Sequence, residues 1–198
     1  TGINTMIAGG TSNLPTFTLE GGEYAATFNG SQSIKTNANF NIGTDKVSIS
    51  FWIKTSQTAL SIILELSNNF NNFNAFNSVL NGTANKIEVA DHTSGGSAYN
   101  VGSSATNINN NTWRHIVLTI DRSLVGNQQN KIYVDGVLSY VQNTSLQVDL
   151  NGNWALNPLF IGQRGGSQYG FNGQMKFLKI FNYPLSTTEI TNLYNKTM

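Results

Sequence analysis

Two polar segments in the C-terminal half carry side chains suited to holding a sugar. Residues 151–155 read Asn-Gly-Asn-Trp-Ala, and residues 163–169 read Gln-Arg-Gly-Gly-Ser-Gln-Tyr. An aromatic ring can cover the C–H face of a pyranose, while amide and guanidinium groups hydrogen-bond its hydroxyls, usually from loops on a rigid scaffold. The sequence therefore predicts a carbohydrate-binding surface. Its candidate residues combine rings with polar planar groups: Trp154, Arg164, Gln168, Tyr169 and Tyr99.

One of these candidates has an equally good structural explanation. Trp154 could close one end of the fold instead of meeting a ligand. Residues 163–169 contain two glycines, which predicts a flexible loop. Both alternatives for Trp154 stay open at the level of the sequence.

Groups able to catalyse a reaction are few and scattered. Retaining glycosidases hold two carboxylates about 5 Å apart, but Glu65 and Glu88 each stand alone in an apolar segment. His92 lies in a Gly/Ser-rich stretch that predicts a loop, and no Gly-x-Ser-x-Gly elbow is present. His115 is interpreted as a hydrogen-bonded histidine on a sheet face. These patterns favour a binding protein over an enzyme.

Composition narrows the partners further. The 198 residues fit one domain, 39% are hydrophobic, and charged residues make up only 11% with a net charge of +1. Nucleic acid is therefore not expected as a partner. No apolar run approaches the roughly 20 residues of a membrane span, so membrane insertion is not expected either. The absence of cysteine excludes disulfides and cysteine-based zinc sites.

Short alternating segments separated by turns must position the candidate residues. Residues 47–54 and 113–120 place apolar side chains at every second position, as half-buried strands do. Residues 60–66, 158–162 and 175–182 are further strands. Asp135-Gly136 predicts a tight hairpin between residues 131–134 and 137–141, and Asn29-Gly30 predicts another. Strands spaced in this way indicate an all-β sandwich.

The two ends of the chain differ from this pattern. Residues 1–21 are rich in Thr and Gly and predict an N-terminal arm or linker, with a strand near residues 17–19, before a domain spanning residues 22–198. Because the chain begins at Thr1, we expect a processed chain or part of a longer one. Near the C-terminus, Ser186 and Glu189 have the spacing of a capping box. A short amphipathic helix is therefore predicted after them.

Several of these segments, taken in order, resemble the laminin G-like family of concanavalin A-like lectins and glucanases. The matching segments are residues 26–30, 47–54, 113–121, 131–136, 160–162, 171–173 and 179–186, followed by Glu189 and Tyr194. The resemblance implies a two-sheet antiparallel jelly-roll sandwich with one short C-terminal helix. It also implies that Trp52 and Trp113 are packing residues, because the shared positions are mostly core and turn residues. It does not by itself imply a ligand.

Many members of the resembling family hold calcium, which makes calcium a candidate cofactor. This chain departs from the family at two positions that often carry aspartate, where it has Asn29 and Lys176. Calcium needs several oxygen ligands, usually including carboxylates. The metal ligands are therefore unknown, and the acidic candidates that remain are Glu20, Glu23, Asp45, Asp121 and Asp149.

Two functional hypotheses follow. The first is a non-catalytic module that attaches to a glycan or host-surface receptor. The second is a structural decoration or assembly domain whose N-terminal arm contacts neighbouring protein subunits, since an extended segment can add to an open sheet edge. Either function is expected in an extracellular setting, on a cell surface or on a virion.

Overall fold

Two antiparallel sheets and one short helix make up the fold. In a computed structural model, the chain is described at residues 6–10, 13–40, 42–43, 45–67, 75–81, 85–92, 99–124, 129–141 and 157–196. The elements, in chain order, are β1 (Met6–Ala8), β2 (Thr16–Glu20), β3 (Glu23–Asn29), β4 (Ile34–Thr36), β5 (Lys46–Lys54), β6 (Ser61–Leu66), β7 (Ala75–Asn81), β8 (Lys86–His92), β9 (Tyr99–Ser103), β10 (Arg114–Asp121), β11 (Asn130–Val134), β12 (Val137–Val141), β13 (Leu159–Ile161), β14 (Asn172–Phe181) and α1 (Thr187–Lys196). The predicted all-β sandwich is confirmed.

Each sheet has seven strands. The first sheet has the order β1-β4-β13-β6-β7-β8-β9, and the second has the order β12-β11-β10-β5-β14-β3-β2. Half of the neighbouring strand pairs join strands that are distant in sequence: β5, for example, lies between β10 and β14. The sequence alternation lets β5 and β10 pack, because it turns Ile49, Phe51, Ile116 and Leu118 toward the opposite sheet.

The main core lies between the sheets. Ile49 and Phe51 of β5 are fully buried there beside Ile116 and Leu118 of β10. The opposite face of β5 is also buried: Ser48 and Ser50 are 0% and 2% exposed. A second apolar cluster covers that outer face, where α1 and the segment before it pack on the second sheet; it contains Val117, Tyr133, Leu185 and Ile190.

The two predicted hairpins have different outcomes. Asp135 and Gly136 have φ values of 52° and 78° and join β11 to β12, as the sequence predicts. The predicted hairpin at Asn29-Gly30 is wrong, because β3 and β4 belong to different sheets. Gly30 does have a φ of 89°, but its N–H donates to the Phe171 carbonyl, and the chain crosses between the two sheets there.

The N-terminal segment contributes a strand to each sheet. β1 pairs with β4 at the edge of the first sheet, and β2 pairs with β3 at the edge of the second sheet. The strand expected near residues 17–19 is therefore present, and it lies within the sandwich. The division into an arm at residues 1–21 and a domain at residues 22–198 stays a prediction.

The helix begins at the predicted capping box. The Glu189 N–H donates to Ser186 Oγ at 3.3 Å, and Glu189 Oε2 accepts from the Ser186 N–H at 2.8 Å. The Ser186 hydroxyl also donates to Glu189 Oε2 at 2.7 Å, and this bond, together with the one from the Ser186 N–H, holds the pKa of Glu189 below its usual value. These hydrogen bonds satisfy donors that would otherwise have no partner at the helix start.

Replacing Ser186 with alanine should destabilise the protein by about 1 kcal/mol, because the first turn of α1 loses its cap. Urea unfolding followed by tryptophan fluorescence measures this loss. The matched control is Thr188→Ala, an exposed position in the same turn, which should leave the unfolding free energy unchanged or slightly raised. Equal losses in the two variants would contradict a capping role for Ser186.

Candidate functional site

A tight turn after β13 brings three of the predicted binding residues together. Arg164 and Gln168 form an antiparallel bridge: the Arg164 N–H donates to the Gln168 carbonyl at 2.9 Å, and the Gln168 N–H donates back at 3.2 Å. Tyr169 follows directly, and its carbonyl accepts from the Ile62 N–H at 2.8 Å. The sequence predicts a flexible loop for this segment, and the structure shows a hydrogen-bonded turn tied to the start of β6.

Glycines make the close packing of this turn possible. A Cβ on Gly166 would lie 2.4 Å from the Gly9 carbonyl carbon, so the segment after β1 packs directly on the turn. At the other end, a Cβ on Gly170 would lie 1.7 Å from the Gly30 carbonyl oxygen. Gln163 also donates to that oxygen at 3.1 Å. The backbone of the turn therefore packs against the backbone of two other segments, at Gly9 and at Gly30, and this packing fixes the position of the side chains on the turn.

A buried ion pair anchors Arg164. Its Nε donates to Glu65 Oε2 at 2.9 Å, and the Glu65 side chain is fully buried on β6. The second carboxylate oxygen accepts from the Ser67 hydroxyl at 2.7 Å. A charged residue in the otherwise apolar strand Ser61–Leu66 could have indicated this pairing from sequence, since a buried carboxylate requires a partner.

Tyr169 projects from the turn next to this anchor. The Arg164 guanidinium carbon lies 5.1 Å from the centroid of the tyrosine ring, a cation–π contact. The side chain is 46% exposed. Its backbone has a φ of 52°, in the left-handed region that costs a bulky residue of order 1–3 kcal/mol. Glycine would adopt this conformation without strain, yet the position carries a large exposed ring.

Two further candidates do not join this group in the described structure. Trp154 lies outside the described residues. Tyr99 begins β9, the far edge of the first sheet, four strand spacings or about 19 Å from β13. Its side chain is outside what the structure describes. Of the five predicted binding residues, the structure therefore brings together Arg164, Gln168 and Tyr169.

The other two tryptophans have different surroundings. Trp52 is 5% exposed and packs against both His115 and Tyr194, with ring centroids 5.3 and 5.8 Å away. It is a packing residue, as expected. Trp113 is half-buried, and Lys176 Nζ lies 4.7 Å from its ring centroid.

Both histidines lie on strands, and the structure describes the side chain of His115 only. His115 is buried, and its Nε2 lies 2.9 Å from the Ser50 hydroxyl. Burial lowers the pKa of His115 to about 4, against the opposing charge of Asp135. The prediction that His92 lies in a loop is wrong for its backbone, which ends β8 and pairs with both Ala75 and Tyr99.

The residues present do not fit calcium at the two departures from the family pattern. Asn29 Oδ1 accepts from the Ser31 N–H at 3.0 Å within a turn, and Lys176 places a cation on β14. Across the described residues, no three histidine or acidic side chains come close enough together to share a metal ion. Two of the acidic candidates are bound by lysines: Glu20 by Lys54 at 2.6 Å and Asp121 by Lys46 at 3.7 Å. The Lys54 hydrogen bond holds the pKa of Glu20 below its usual value.

The family is decided by a match that covers most of the chain. Residues 28–191 match the model of laminin G-like domains in the concanavalin A-like lectin/glucanases superfamily. This chain belongs to that superfamily. The expectation drawn from the sequence segments is therefore confirmed, and the two-sheet jelly roll of the concanavalin A-like domain is the architecture that the strands form.

Solved structures share the fold of this concanavalin A-like domain at low sequence identity. Domain 4 of AbnA, a GH43 extracellular arabinanase from Geobacillus stearothermophilus solved with arabinotriose, is 19% identical; the match covers 98% of this chain and 88% of that one, with a TM-score of 0.74. The receptor binding domain of botulinum neurotoxin type G is 20% identical, with 98% and 46% of the two chains covered and a TM-score of 0.69. These likenesses show the fold alone.

A third solved structure comes from botulinum neurotoxin type C, whose cell entry depends on interaction with two ganglioside molecules. It is 17% identical over 98% of this chain and 47% of that one, with a TM-score of 0.70. The concanavalin A-like domain thus spans about half the length of the neurotoxin chains that it matches. No curated protein sequence matches the chain. In the described residues, no helix has the length and apolar character needed to cross a bilayer.

Proposed function

We propose that this domain is a non-catalytic, extracellular glycan-binding module whose ligand contacts Tyr169 and Gln168. The observation that carries the proposal is the exposed Tyr169 ring, held in a left-handed conformation on a turn that is hydrogen-bonded at its base. A rigid aromatic ring beside an exposed amide matches the chemistry of a sugar, which presents a C–H face and a rim of hydroxyls. Preorganisation of the ring also lowers the entropy that binding must offset.

Arg164 supports the ring in this proposal. Its guanidinium lies against Tyr169 and is engaged by the buried Glu65, so the ring has a fixed surface on one side. The ion pair also argues against glycoside hydrolysis at this turn. A glycosidase uses two carboxylates about 5 Å or more apart, whereas the carboxylate of Glu65 is paired with the guanidinium of Arg164.

The structural neighbours support a glycan as the ligand class. One was solved in complex with arabinotriose, and another comes from a toxin that depends on gangliosides. Arabino-oligosaccharides and ganglioside glycans are therefore the first probes for this domain. The same proposal has a more specific form, in which the glycan belongs to a host-surface receptor and the domain lies on a cell surface or a virion.

Replacing Tyr169 with alanine should weaken glycan binding at least about tenfold, as truncation of a central aromatic contact does. Tyr169→Phe keeps the ring and should retain most of the affinity. The control is Tyr183→Ala, which removes a similarly exposed tyrosine (42% against 46%) beside the helix and should leave binding unchanged. A glycan array finds the ligand, and calorimetric titration of the three variants measures the affinities.

The outcomes of that experiment separate the two functional hypotheses. Binding that is lost in Tyr169→Ala, with unfolding unchanged, supports the proposed site. Binding that survives the substitution places the glycan elsewhere on the domain. An array on which the wild-type domain binds no glycan contradicts the proposal and favours the assembly hypothesis.

A further inference from the structure

Strand β2 leaves one edge of the second sheet open. It pairs with β3 through five successive residues and without a bulge, from Thr16 opposite Thr27 to Glu20 opposite Glu23. Among the described strands, β3 is the only one that pairs with β2. Natural sheet edges are usually protected by lysine, proline, a bulge or a covering segment. Strand β2 contains no lysine, no proline and no bulge.

Two of the other sheet edges, β1 and β12, are short or covered. Strand β1 has three residues. On the opposite side of the sandwich, the Ala105 N–H donates to the Ser139 carbonyl at 3.2 Å, so a neighbouring segment covers the outer edge of β12. The register of β12 against β11 also shifts at Ile132 and Tyr133. Strand β2 is therefore less protected than these two edges; the fourth edge strand, β9, also pairs through five successive residues without a bulge.

Exposed apolar side chains accompany this open edge. Phe17 and Leu19 of β2 are 62% and 64% exposed, and Tyr24, which lies opposite Leu19 on β3, is 68% exposed. We call these three residues the apolar shelf. Phe17 and Tyr24 also line a hollow of about 260 Å³ between the edges of the two sheets. An unprotected edge that carries exposed apolar side chains is the expected property of a surface that pairs with another strand.

The hairpin fixes which backbone groups face the open edge. Gly21 and Gly22 have φ values of 63° and 87°, as in a two-residue type I′ turn, so Glu20 and Glu23 form a hydrogen-bonded pair. Hydrogen-bonded and non-hydrogen-bonded pairs alternate along an antiparallel ladder. Thr18 therefore bonds to β3, while the N–H and C=O groups of Phe17 and Leu19 point to the open edge.

We propose that β2 pairs with β2 of a second copy of this chain, antiparallel and with Thr18 on the two-fold axis. In this register Phe17 lies opposite Leu19 of the second copy at both ends, and these two pairs form four backbone hydrogen bonds. Centring the axis on Phe17 instead would place Leu19 opposite Pro15, which has no N–H to donate. The Thr18-centred register therefore uses every backbone group that Phe17 and Leu19 offer.

The side chains of β2 are also compatible with the Thr18-centred register. Phe17 of each copy packs against Leu19 of the other, which covers part of both apolar shelves. Glu20 is the only charged residue in β2, and it lies opposite Thr16 of the second copy, so the two Glu20 carboxylates do not face each other. Lys54 neutralises each Glu20 at 2.6 Å. The strand is self-complementary in hydrogen bonding, apolar contact and charge, as a two-fold interface requires.

The expected association is weak, because one five-residue strand per copy is small beside the roughly 800 Å² per partner of a standard interface. A cysteine cross-link detects such a dimer even at low occupancy. The chain has no cysteine, so each variant carries a single thiol. Thr18 and its two-fold mate form a non-hydrogen-bonded pair with Cα atoms about 4.5 Å apart, within the range of a disulfide.

The matched control is Thr16→Cys, on the same strand and the same face, whose two copies would lie about 14 Å apart in this register. Under mild oxidation, Thr18→Cys should form covalent dimers at least about tenfold faster than Thr16→Cys. Adding Leu19→Lys to Thr18→Cys should remove that advantage, because it places a charge against Phe17 of the second copy. Adding Val137→Lys, the same kind of change at the 69% exposed start of β12, should not.

Equal cross-linking rates at Thr16 and Thr18 would overturn the proposal, since random collisions treat both positions alike. An advantage of Thr18→Cys that survives Leu19→Lys would also overturn it, because the apolar pairs would then carry no part of the association. Selective cross-linking that Leu19→Lys abolishes and Val137→Lys leaves intact supports the two-fold pairing. Neither result depends on whether the domain binds a glycan.

Discussion

Replacing Arg164 with methionine should lower the free energy of unfolding by about 3–5 kcal/mol, because the change leaves the Glu65 carboxylate buried without its ion pair. Methionine keeps most of the length of the side chain, so the loss reports mainly the missing charge. Glu65 is fully buried, whereas the Arg164 side chain is 18% exposed. Glu65→Gln should therefore cost less, since the remaining arginine has access to water.

A double variant separates the buried charge from general loss of packing. Glu65→Gln combined with Arg164→Met should be more stable than Arg164→Met alone, because no unpaired carboxylate remains. The control is Lys46→Met, which breaks a more exposed ion pair at 3.7 Å and should cost no more than about 1 kcal/mol. Urea unfolding of the four variants tests this order. An Arg164→Met domain within about 1 kcal/mol of wild type would show that the ion pair does not hold the turn.

Acid should destabilise the domain through His115. Burial lowers the pKa of this histidine from 6.5 to about 4, and the nearby cation of Lys179 acts in the same direction, while Asp135 opposes both. Trp52, Tyr194 and the Ser50 hydroxyl also contact the ring. The folded protein therefore keeps His115 neutral at a pH where the unfolded chain is protonated.

The direction of the effect follows from proton uptake. Above about pH 6.5 both states hold a neutral His115, and its contribution is constant. As the pH falls toward 4, only the unfolded chain binds the proton, so stability declines, by up to about 3 kcal/mol at pH 4. The loss levels off below pH 4, where the folded state also takes up the proton.

Unfolding free energies measured from pH 7 to pH 4 test this prediction. His115→Gln cannot titrate, so the stability difference between wild type and this variant should shrink by about 3 kcal/mol over that range. If His115→Gln loses stability with acid as steeply as wild type, other groups cause the decline.

Local sequence patterns predicted much of the fold for identifiable reasons. Alternation at residues 47–54 and 113–120 placed Ile49 and Ile116 in the core, because successive side chains on a strand point to opposite faces. Asp135-Gly136 predicted its hairpin because few other dipeptides adopt two successive positive φ values. Ser186 and Glu189 predicted the helix start because a capping box is formed within four residues.

The candidate site was predicted less completely. Residue type alone predicts Arg164, Gln168 and Tyr169 as binding residues, and their proximity follows from their closeness in sequence. The partner of Arg164 is 99 residues away. Glu65 was noted only as an isolated acid, since its pairing depends on β6 and β13 being neighbours in a sheet.

The sequence by itself predicted many of the strands, the apolar face of residues 47–54 and 113–120, the Asp135-Gly136 turn, the start of the helix and the family to which the chain belongs, but not β1, β7 or β9. Only the tertiary structure decided that the chain changes sheets after Gly30 and that residues 6–8 and 16–20 complete the two sheets. The tertiary structure likewise decided that Ser48 is buried on the outer face of β5, where it bonds the backbone of Tyr183 and Leu185 before the helix. It also decided that Glu65 anchors the turn carrying Tyr169. The physical reason is range: periodicity and turn geometry act between residues a few positions apart, whereas strand order and buried pairing depend on how distant segments pack.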